Sequence, residues 1–264
     1  MRTFFLLMLA GLWVGVGQPT PANQPQVTLN VMSSGGFTAA YQALSPTFTT
    51  TTKIGLNTVY GASMGGAPSA IPSRLARGEA ADVVILAAEG LESLLAEGYV
   101  VANSRVDLAS SQIGMVVMPG TILPDISTVD RFILTLLEAE SIAYSASASG
   151  TYLSTVLFQR LHIAEALATK TTRVLGERVG TVVARGDAEL GFQQISELLP
   201  IPGVTYVGPI PNDLQKVTVF SAGITTQTQD SRAAQSLIDF LASANAAPII
   251  TQTGMLPHAQ SPAP

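Results

Sequence analysis

The sequence contains no cysteine among its 264 residues. Disulfide bonds, thiolate metal sites and attachment to a lipid through an N-terminal cysteine are therefore excluded. Histidine occurs only at His162 and His258, and neither belongs to a cluster of residues with the spacing of metal ligands. We therefore expect a protein that works without a metal ion and without a cofactor.

Charged residues are also scarce, at 12% of the chain, and they sum to a formal net charge of −5. This acidic balance, without a basic patch, argues against nucleic acid as a partner. An acidic protein that binds anions must use local dipoles or a few placed arginines, because its overall field repels them. Hydrophobic residues make up 47% of the chain, which suffices for one large or two modest α/β domains.

A short apolar run lies at the N-terminus. Phe4 to Val16 follows the positively charged Arg2 and precedes the small residue Ala22, in the pattern of a cleavage site. The run is too short to span a bilayer comfortably and is interrupted by glycine. We read residues 1–22 as a secretory signal peptide rather than a retained membrane anchor, and we expect export to a bacterial periplasm.

The first part of the mature chain, 27–41 (VTLNVMSSGGFTAAY), predicts a strand that continues directly into a helix. Their junction consists of Ser33, Ser34, Gly35 and Gly36. It offers free backbone N–H groups, small hydroxyls and the positive end of a helix dipole, and its glycines let a ligand approach the backbone. We interpret it as an anion cradle, with an ordinary serine-capped turn as the alternative.

Strand and helix signals alternate along the rest of the chain, which favours mostly parallel sheets. Further strands are predicted at 54–60, 81–86, 112–118, 141–144, 189–193 and 215–224. Three of the strand ends carry small, hydroxyl or amide residues like those of the first junction: Ser63 and Met64, Ser149 and Gly150, and Gln193 and Gln194. Ligands of open α/β sheets bind at the carboxyl ends of strands, so we expect the four junctions to line one cleft.

Several segments carry a resemblance to a known family. They are SSGG at 33–36, YGAS at 60–63, RLARGEAADVVI at 74–85, SASASGTYLSTVLFQRLHI at 145–163 and RGDAELGF at 185–192. In this order they resemble the periplasmic molybdate-binding proteins and their relatives, over nearly the whole mature chain. The resemblance implies a type II periplasmic-binding-protein fold, with two α/β lobes that each hold a mostly parallel sheet flanked by helices.

In that fold two crossing strands join the lobes, and hydroxyls and backbone amides hold the ligand between them. The crossings fall near 110–117 and 216–222. The resemblance therefore places one lobe at 23–111 and 217–256 and the other at 112–216. We expect a disordered tail at 257–264.

The family's ligand contacts fall, in chain order, at Gly36, Ser63, Ser149, Val179 and Gln194. Gly36 replaces a serine, and the loop that holds Ser63 is several residues longer than usual. Gln194 replaces the tyrosine whose hydroxyl faces the ligand. These departures argue against a tetrahedral oxyanion as the ligand.

A larger and flatter anion suits the altered cleft, and we expect a di- or tricarboxylate. Gly36 and the longer second loop make room for it. Gln193 and Gln194 offer planar amide donors that suit carboxylates. Arg74 starts the helix beneath the second loop, where its guanidinium is able to form a bidentate contact with a carboxylate. A surface helix arginine is the equal alternative.

The chain is also similar to the aconitate isomerases, enzymes of this architecture, in length, export signal and lack of cysteine. That resemblance implies a cofactor-independent shift of an allylic proton between trans- and cis-aconitate. The proton acceptor has two candidates, Tyr152 and Glu197, each with a structural role as the alternative. Tyr152 ranks slightly first because it follows the third junction directly.

The alternative function is a receptor that hands a molybdate-like oxyanion or a small carboxylate to the membrane component of an ABC transporter. Most proteins of this fold bind without reacting, which favours the receptor. The departures at Gly36 and Gln194 favour the enzyme, which we narrowly prefer. We expect a monomer, because no exposed apolar stripe stands out.

Overall fold

A computed structural model describes residues 27–258. The predicted signal peptide at 1–22 and residues 259–264 of the predicted disordered tail lie outside the described residues. Pro257 corrects the tail prediction, because it pairs with Ala109 in a short strand. The next backbone N–H, that of His258, donates to the Leu108 carbonyl at 2.9 Å. Pairing with the sheet therefore orders this end of the chain.

The strands of the described residues are β1 (Val27–Ser34), β2 (Ile54–Gly61), β3 (Val83–Ala87), β4 (Val106–Ser111), β5 (Ile113–Val117), β6 (Ile142–Ser145), β7 (Thr171–Val174), β8 (Leu190–Gln194), β9 (Thr205–Pro209), β10 (Thr218–Ile224) and β11 (Leu256–Pro257). A six-stranded sheet has the order β11-β4-β10-β3-β1-β2, and a five-stranded sheet has the order β7-β6-β8-β5-β9. The apolar strand β3 is buried along its whole length, as a strand covered on both faces must be.

Both sheets are mixed, which corrects the expectation of mostly parallel sheets. β1 is parallel to β2 and β3, and β6 is parallel to β7 and β8. In contrast, β10 runs antiparallel to β3 and β4, and β5 runs antiparallel to β8 and β9. Strands β5 and β10 are the ones that the chain enters from the other sheet, so no helical crossover sets their direction.

Helices flank both sheets. They are α1 (Gly35–Thr52), α2 (Ile71–Ala76), α3 (Ala88–Ala96), α4 (Val129–Glu138), α5 (Ala148–Tyr152), α6 (Phe158–Arg160), α7 (Ala164–Leu167), α8 (Val179–Ala184), α9 (Ile195–Leu198), α10 (Ser231–Leu241) and α11 (Ala247–Gln252). A π-helical turn at Leu153–Leu157 joins α5 to α6, and a 3-10 turn at Asn212–Leu214 precedes β10. Within residues 27–258, no helix has the length and apolar character that crossing a membrane requires.

Each sheet has its own hydrophobic core. Phe37 and Phe48 of α1 pack with Leu237 of α10 against the larger sheet. In the smaller sheet Phe132 of α4 meets Phe192 of β8 edge to face, with ring centroids 5.9 Å apart. Aromatic pairs of this geometry contribute to stability beyond their buried area, so each half of the molecule is anchored separately.

The chain passes from the larger to the smaller sheet between Ser111 and Ile113, and it returns between β9 and β10. Gln215 links the two passages: its Oε1 accepts a hydrogen bond from the Ile113 N–H at 2.8 Å, and its Nε2 donates to the Ile113 carbonyl at 3.0 Å. The predicted lobe boundaries stay a prediction, because sheet membership does not define the edges of a folding unit.

Candidate functional site

A cavity of about 340 Å³ is lined by residues of both sheets and their loops, a volume within the range of small-molecule sites. Eight residues proposed from the sequence line it: Gly35, Gly36, Ser63, Met64, Ser149, Gln193, Gln194 and Glu197. They come from all four junctions. The carboxyl ends of strands from both sheets therefore meet at one cavity.

Six other residues proposed from the sequence do not line the cavity: Ser33, Ser34, Gly150, Val179, Arg74 and Tyr152. Ser33 and Ser34 are buried at the end of β1. The Ser33 hydroxyl lies 3.5 Å from the Ser34 carbonyl, and the Ser34 hydroxyl has no hydrogen-bond partner. The part of the anion cradle that reaches the cavity is its two glycines.

Arg74 is engaged below the second loop. Its Nη1 lies 2.6 Å from Glu79 Oε1, and its Nε donates to the Ser69 carbonyl at 3.1 Å. This pairing leaves the guanidinium away from the cavity and corrects the expectation of a bidentate contact with a ligand. Because Ser69 itself lines the cavity, Arg74 supports the second loop from beneath.

Tyr152 faces the core of the smaller sheet. Its hydroxyl donates to the Leu214 carbonyl at 3.0 Å, and Lys216 Nζ lies 5.8 Å from its ring centroid. The structural alternative for Tyr152 therefore describes its surroundings. A phenol held in this way does not reach the cavity as a proton acceptor.

Two family contact positions are used inside the protein. The Val179 N–H donates to Gln193 Oε1 at 2.8 Å. At Gly150 an added Cβ would lie 1.7 Å from the Ser145 carbonyl oxygen, so glycine is required there for close packing of the chain. Both residues shape the cavity wall without facing the cavity.

Gly36 lines the cavity for a reason that the sequence did not show. A Cβ at Gly36 would lie 2.0 Å from Phe220 Cζ. The missing side chain therefore admits the Phe220 ring, which itself lines the cavity. This corrects the expectation that glycine at this position makes room for a ligand.

The Gln194 amide is held by both passages between the sheets. It hydrogen-bonds to the Thr218 hydroxyl at 2.8 Å, and with its oxygen facing that hydroxyl its nitrogen donates to the Ser111 and Gln112 carbonyls at 3.2 Å. These partners satisfy both ends of the amide. Gln194 therefore connects the passages, although it borders the cavity.

Glu197 is the acidic residue at the centre of the site. It is only 8% exposed, and burial raises the pKa of its carboxyl to about 7, while Arg178 and the Gln193 side chain act to lower it. A Cβ at Gly35 would lie 1.9 Å from Glu197 Oε1. The carboxylate thus occupies the space beside the first turn of α1, whose free N–H groups favour an anion.

Arg178 is the functional candidate that sequence reasoning missed. It lines the cavity directly before α8, and among residues 27–258 it has no carboxylate within 4.0 Å. Its position after Gly176 and Glu177 resembles an ordinary loop, so no local pattern marked it. The cavity therefore holds a guanidinium that is available for an anion.

Hydroxyl groups complete the polar lining. They belong to Thr38, Tyr60, Ser63, Ser69, Ser145, Ser147 and Ser149. Ser63 Oγ accepts a hydrogen bond from the Ala87 N–H at 2.9 Å, which leaves the Ser63 proton free to be donated. One cation, one buried acid and several hydroxyls can together bind an organic anion and move a proton on it.

Comparison with known proteins agrees with this geometry. The model of the bacterial extracellular solute-binding proteins matches residues 29–256. The chain belongs to this family. It is 45% identical over 244 residues to an aconitate isomerase from a Pseudomonas species, a match that covers 92% of this chain and 93% of that protein. The predicted resemblance is therefore confirmed at the level of sequence.

Solved structures of this family share the fold. The periplasmic molybdate-binding protein of Azotobacter vinelandii superposes with a TM-score of 0.68 at 20% identity, over 86% of this chain and 98% of that one. PEB3 of Campylobacter jejuni, with L-phospholactate bound, gives 0.67 at 15% identity, over 87% and 100% of the chains. The two-sheet α/β fold predicted from the sequence is confirmed.

Proposed function

We propose that this solute-binding-family protein is an isomerase that interconverts trans- and cis-aconitate in the cavity between its two sheets, without a cofactor. The observation that carries the proposal is Glu197, a buried carboxyl whose pKa is raised to about 7 in a cavity that also holds Arg178. The 45% identity to an aconitate isomerase of Pseudomonas supports the choice of substrate.

The reaction moves one proton and one double bond. A base removes a proton from the methylene carbon of aconitate, and the electron pair of that C–H bond delocalises over the allylic carbons and their carboxylates. Return of a proton to the other allylic carbon shifts the double bond and allows the opposite geometry. The site must therefore supply a base, a source of the returning proton and donors for the delocalised charge.

Glu197 is the proposed proton acceptor. A carboxyl with a pKa near 7 is partly ionised at neutral pH and is a stronger base than a solvated glutamate. Its burial excludes water from the carboxylate, and the start of α1 at Gly35 holds it beside the cavity. Once protonated, the same carboxyl is able to return a proton to the substrate.

Arg178 is the proposed partner of a substrate carboxylate. A guanidinium binds a carboxylate through two parallel N–H groups, which fixes orientation as well as charge. The hydroxyls of Ser63, Ser145 and Ser147 line the same cavity and supply donors for the other carboxylates. Donors placed where charge develops stabilise the delocalised intermediate.

The test is to incubate the purified protein with trans-aconitate and follow the appearance of the cis isomer by proton NMR. Glu197→Gln keeps the shape of the side chain and removes its basicity, so kcat should fall by about 100-fold or more. The matched control is Glu165→Gln on the exposed surface of α7, which should retain the wild-type rate. Failure of the wild-type protein to form cis-aconitate would overturn the proposal.

A receptor is the second candidate, favoured by membership of the solute-binding family. In that case an anion is held between the sheets and passed unchanged to the membrane component of an ABC transporter. A thermal-shift screen with molybdate, tungstate, sulfate and a panel of carboxylates would identify the ligand. Recovery of trans-aconitate unchanged after tight binding would favour the receptor over the enzyme.

We also propose that the protein works as a monomer in the periplasm after cleavage near residue 22. The extracellular character of the family supports this location. N-terminal sequencing of protein recovered from a periplasmic extract tests the cleavage, and light scattering tests the oligomeric state. An uncleaved N-terminus on membrane-bound protein would contradict the export proposal.

A further inference from the structure

The side chain of Gln193 lies between a backbone N–H and the carboxylate of Glu197. Gln193 is 3% exposed, its Oε1 accepts from the Val179 N–H at 2.8 Å, and its amide interacts with Glu197. All of this takes place at the cavity wall, which both Gln193 and Glu197 line. Gln193 therefore connects the start of α8 to the acidic group of the site.

The Val179 N–H determines which end of the amide faces Glu197. A glutamine side chain has an oxygen that accepts and an NH₂ group that donates. Because the oxygen is taken by Val179, the NH₂ group is left for the carboxylate. The reverse orientation would place two donors face to face at Val179 and two oxygens face to face at Glu197, so the protein interior selects one orientation.

We infer that Gln193 is a positioning residue whose NH₂ group holds the Glu197 carboxylate in the orientation required for proton transfer. The inference rests on the proposed function at one point, the role of Glu197 as proton acceptor. On the other side of the carboxylate, Oε1 fills the space beside Gly35. Glu197 is thus held from two directions and cannot rotate freely.

Few charged groups act on Glu197 besides Gln193's neutral amide. Arg178, at the start of α8, is the charged residue that acts on it among the described residues. The first turn of α1 carries no acidic residue. The other titratable residues of the cavity wall are Tyr60 and Glu177, and Glu177 is paired with Arg185 at 2.7 Å.

Two substitutions separate positioning from packing. Gln193→Met keeps the length of the side chain and removes the amide, so the ionised carboxylate loses a donor and its pKa should rise by about one unit. Gln193→Glu keeps the acceptor for Val179 but places a second carboxylate beside Glu197, and it should raise the pKa further. The comparator is Gln194→Met, which removes a neighbouring buried amide and should lower Tm without moving the pKa of Glu197.

The measurement is a ¹³C NMR titration of glutamate carboxyl carbons in the ligand-free protein, with Glu197→Gln to assign the signal. The same variants are assayed with trans-aconitate between pH 6 and pH 9. A rise of one unit predicts about tenfold lower kcat/KM at pH 6 and nearly wild-type kcat/KM at pH 9 for Gln193→Met. Fixed amide orientation predicts that both readouts move together.

Unchanged titration of Glu197 in both Gln193 variants would overturn the inference. An equal shift in Gln194→Met would overturn it as well, because general packing would then explain the effect. The titration does not depend on catalysis. A shifted titration in a protein that leaves trans-aconitate unchanged would therefore support the Gln193 contact and overturn the proposed function instead.

Discussion

The carboxyl group of Glu197 couples the stability of the folded chain to pH. Its folded-state pKa of about 7 lies above the ordinary value of 4.5, so the folded chain binds the proton more tightly than the unfolded chain. The stability contributed by that proton is complete below pH 4.5 and is lost as pH rises through 7. Burial of the carboxyl is the physical cause.

We therefore predict that Glu197→Gln stabilises the protein at high pH. The free energy of unfolding of the variant should exceed that of the wild type by about 3 kcal/mol more at pH 8.5 than at pH 4.5. Urea unfolding at the two pH values measures this difference, with Glu165→Gln as the surface control. A gap that stays constant between the two pH values would contradict the raised pKa.

Residue identity alone predicted part of the site. Glu197 and Ser149 were identified because small and polar residues follow strands, a pattern visible locally. The role of Gly36 was not visible, because Phe220, which fills the space above it, lies on a strand far along the chain. Arg178 carries no motif at all, and only folding brings it to the cavity.

At the scale of elements, helix α1 packs directly on strand β10 through one glycine and one ring. A Cβ at Gly36 would lie 2.0 Å from Phe220 Cζ, and Phe220 is buried. A second link is made by α9, whose Ser196 hydroxyl donates to the Gly36 carbonyl at 2.7 Å. The start of α1 is therefore held by elements on two sides.

From this contact we predict that Gly36→Ala destabilises the protein by about 1–3 kcal/mol, because an added methyl overfills a packed interface. Adding Phe220→Ala to Gly36→Ala should recover part of the loss, since the smaller side chain makes room for the methyl. Denaturant unfolding of both single variants and the double variant forms the cycle. Strict additivity of the two changes would show that the residues are not in contact.

Element prediction succeeded where strands are buried and failed at sheet edges. The apolar run that forms β3 is recognisable from sequence, and the structure places it at Val83–Ala87. β7 and β9 were not recognised, because they are the edge strands of the smaller sheet and are only partly buried. Edge strands carry more polar residues, which weakens the apolar pattern.

At the scale of the whole molecule, a ligand bound between the two sheets stabilises the folded chain by mass action. For trans-aconitate at 100 times its Kd, we predict a gain in the free energy of unfolding of about 2.7 kcal/mol. Arg178→Gln should remove most of this gain at the same concentration. Arg232→Gln, on the exposed face of α10, should retain it.

Thermal unfolding with and without trans-aconitate measures the effect. Molybdate and sulfate at the same concentration should produce no comparable rise in Tm. A rise with molybdate and none with trans-aconitate would contradict the proposed substrate and support an oxyanion receptor. An equal rise in the wild type and in Arg178→Gln would remove Arg178 from the binding site.

By itself, the sequence determined the α/β class, the four polar strand ends and the family, because these depend on local periodicity and on motifs that are contiguous in the chain. Tertiary structure alone decided the roles inside the cavity. It buried Glu197 beside Gly35, turned Arg74 and Tyr152 to other partners and left Arg178 facing the cavity. The reason is physical: burial, proximity of charges and competition for hydrogen-bond partners arise between residues distant in the chain, and they exist only once the two sheets have come together.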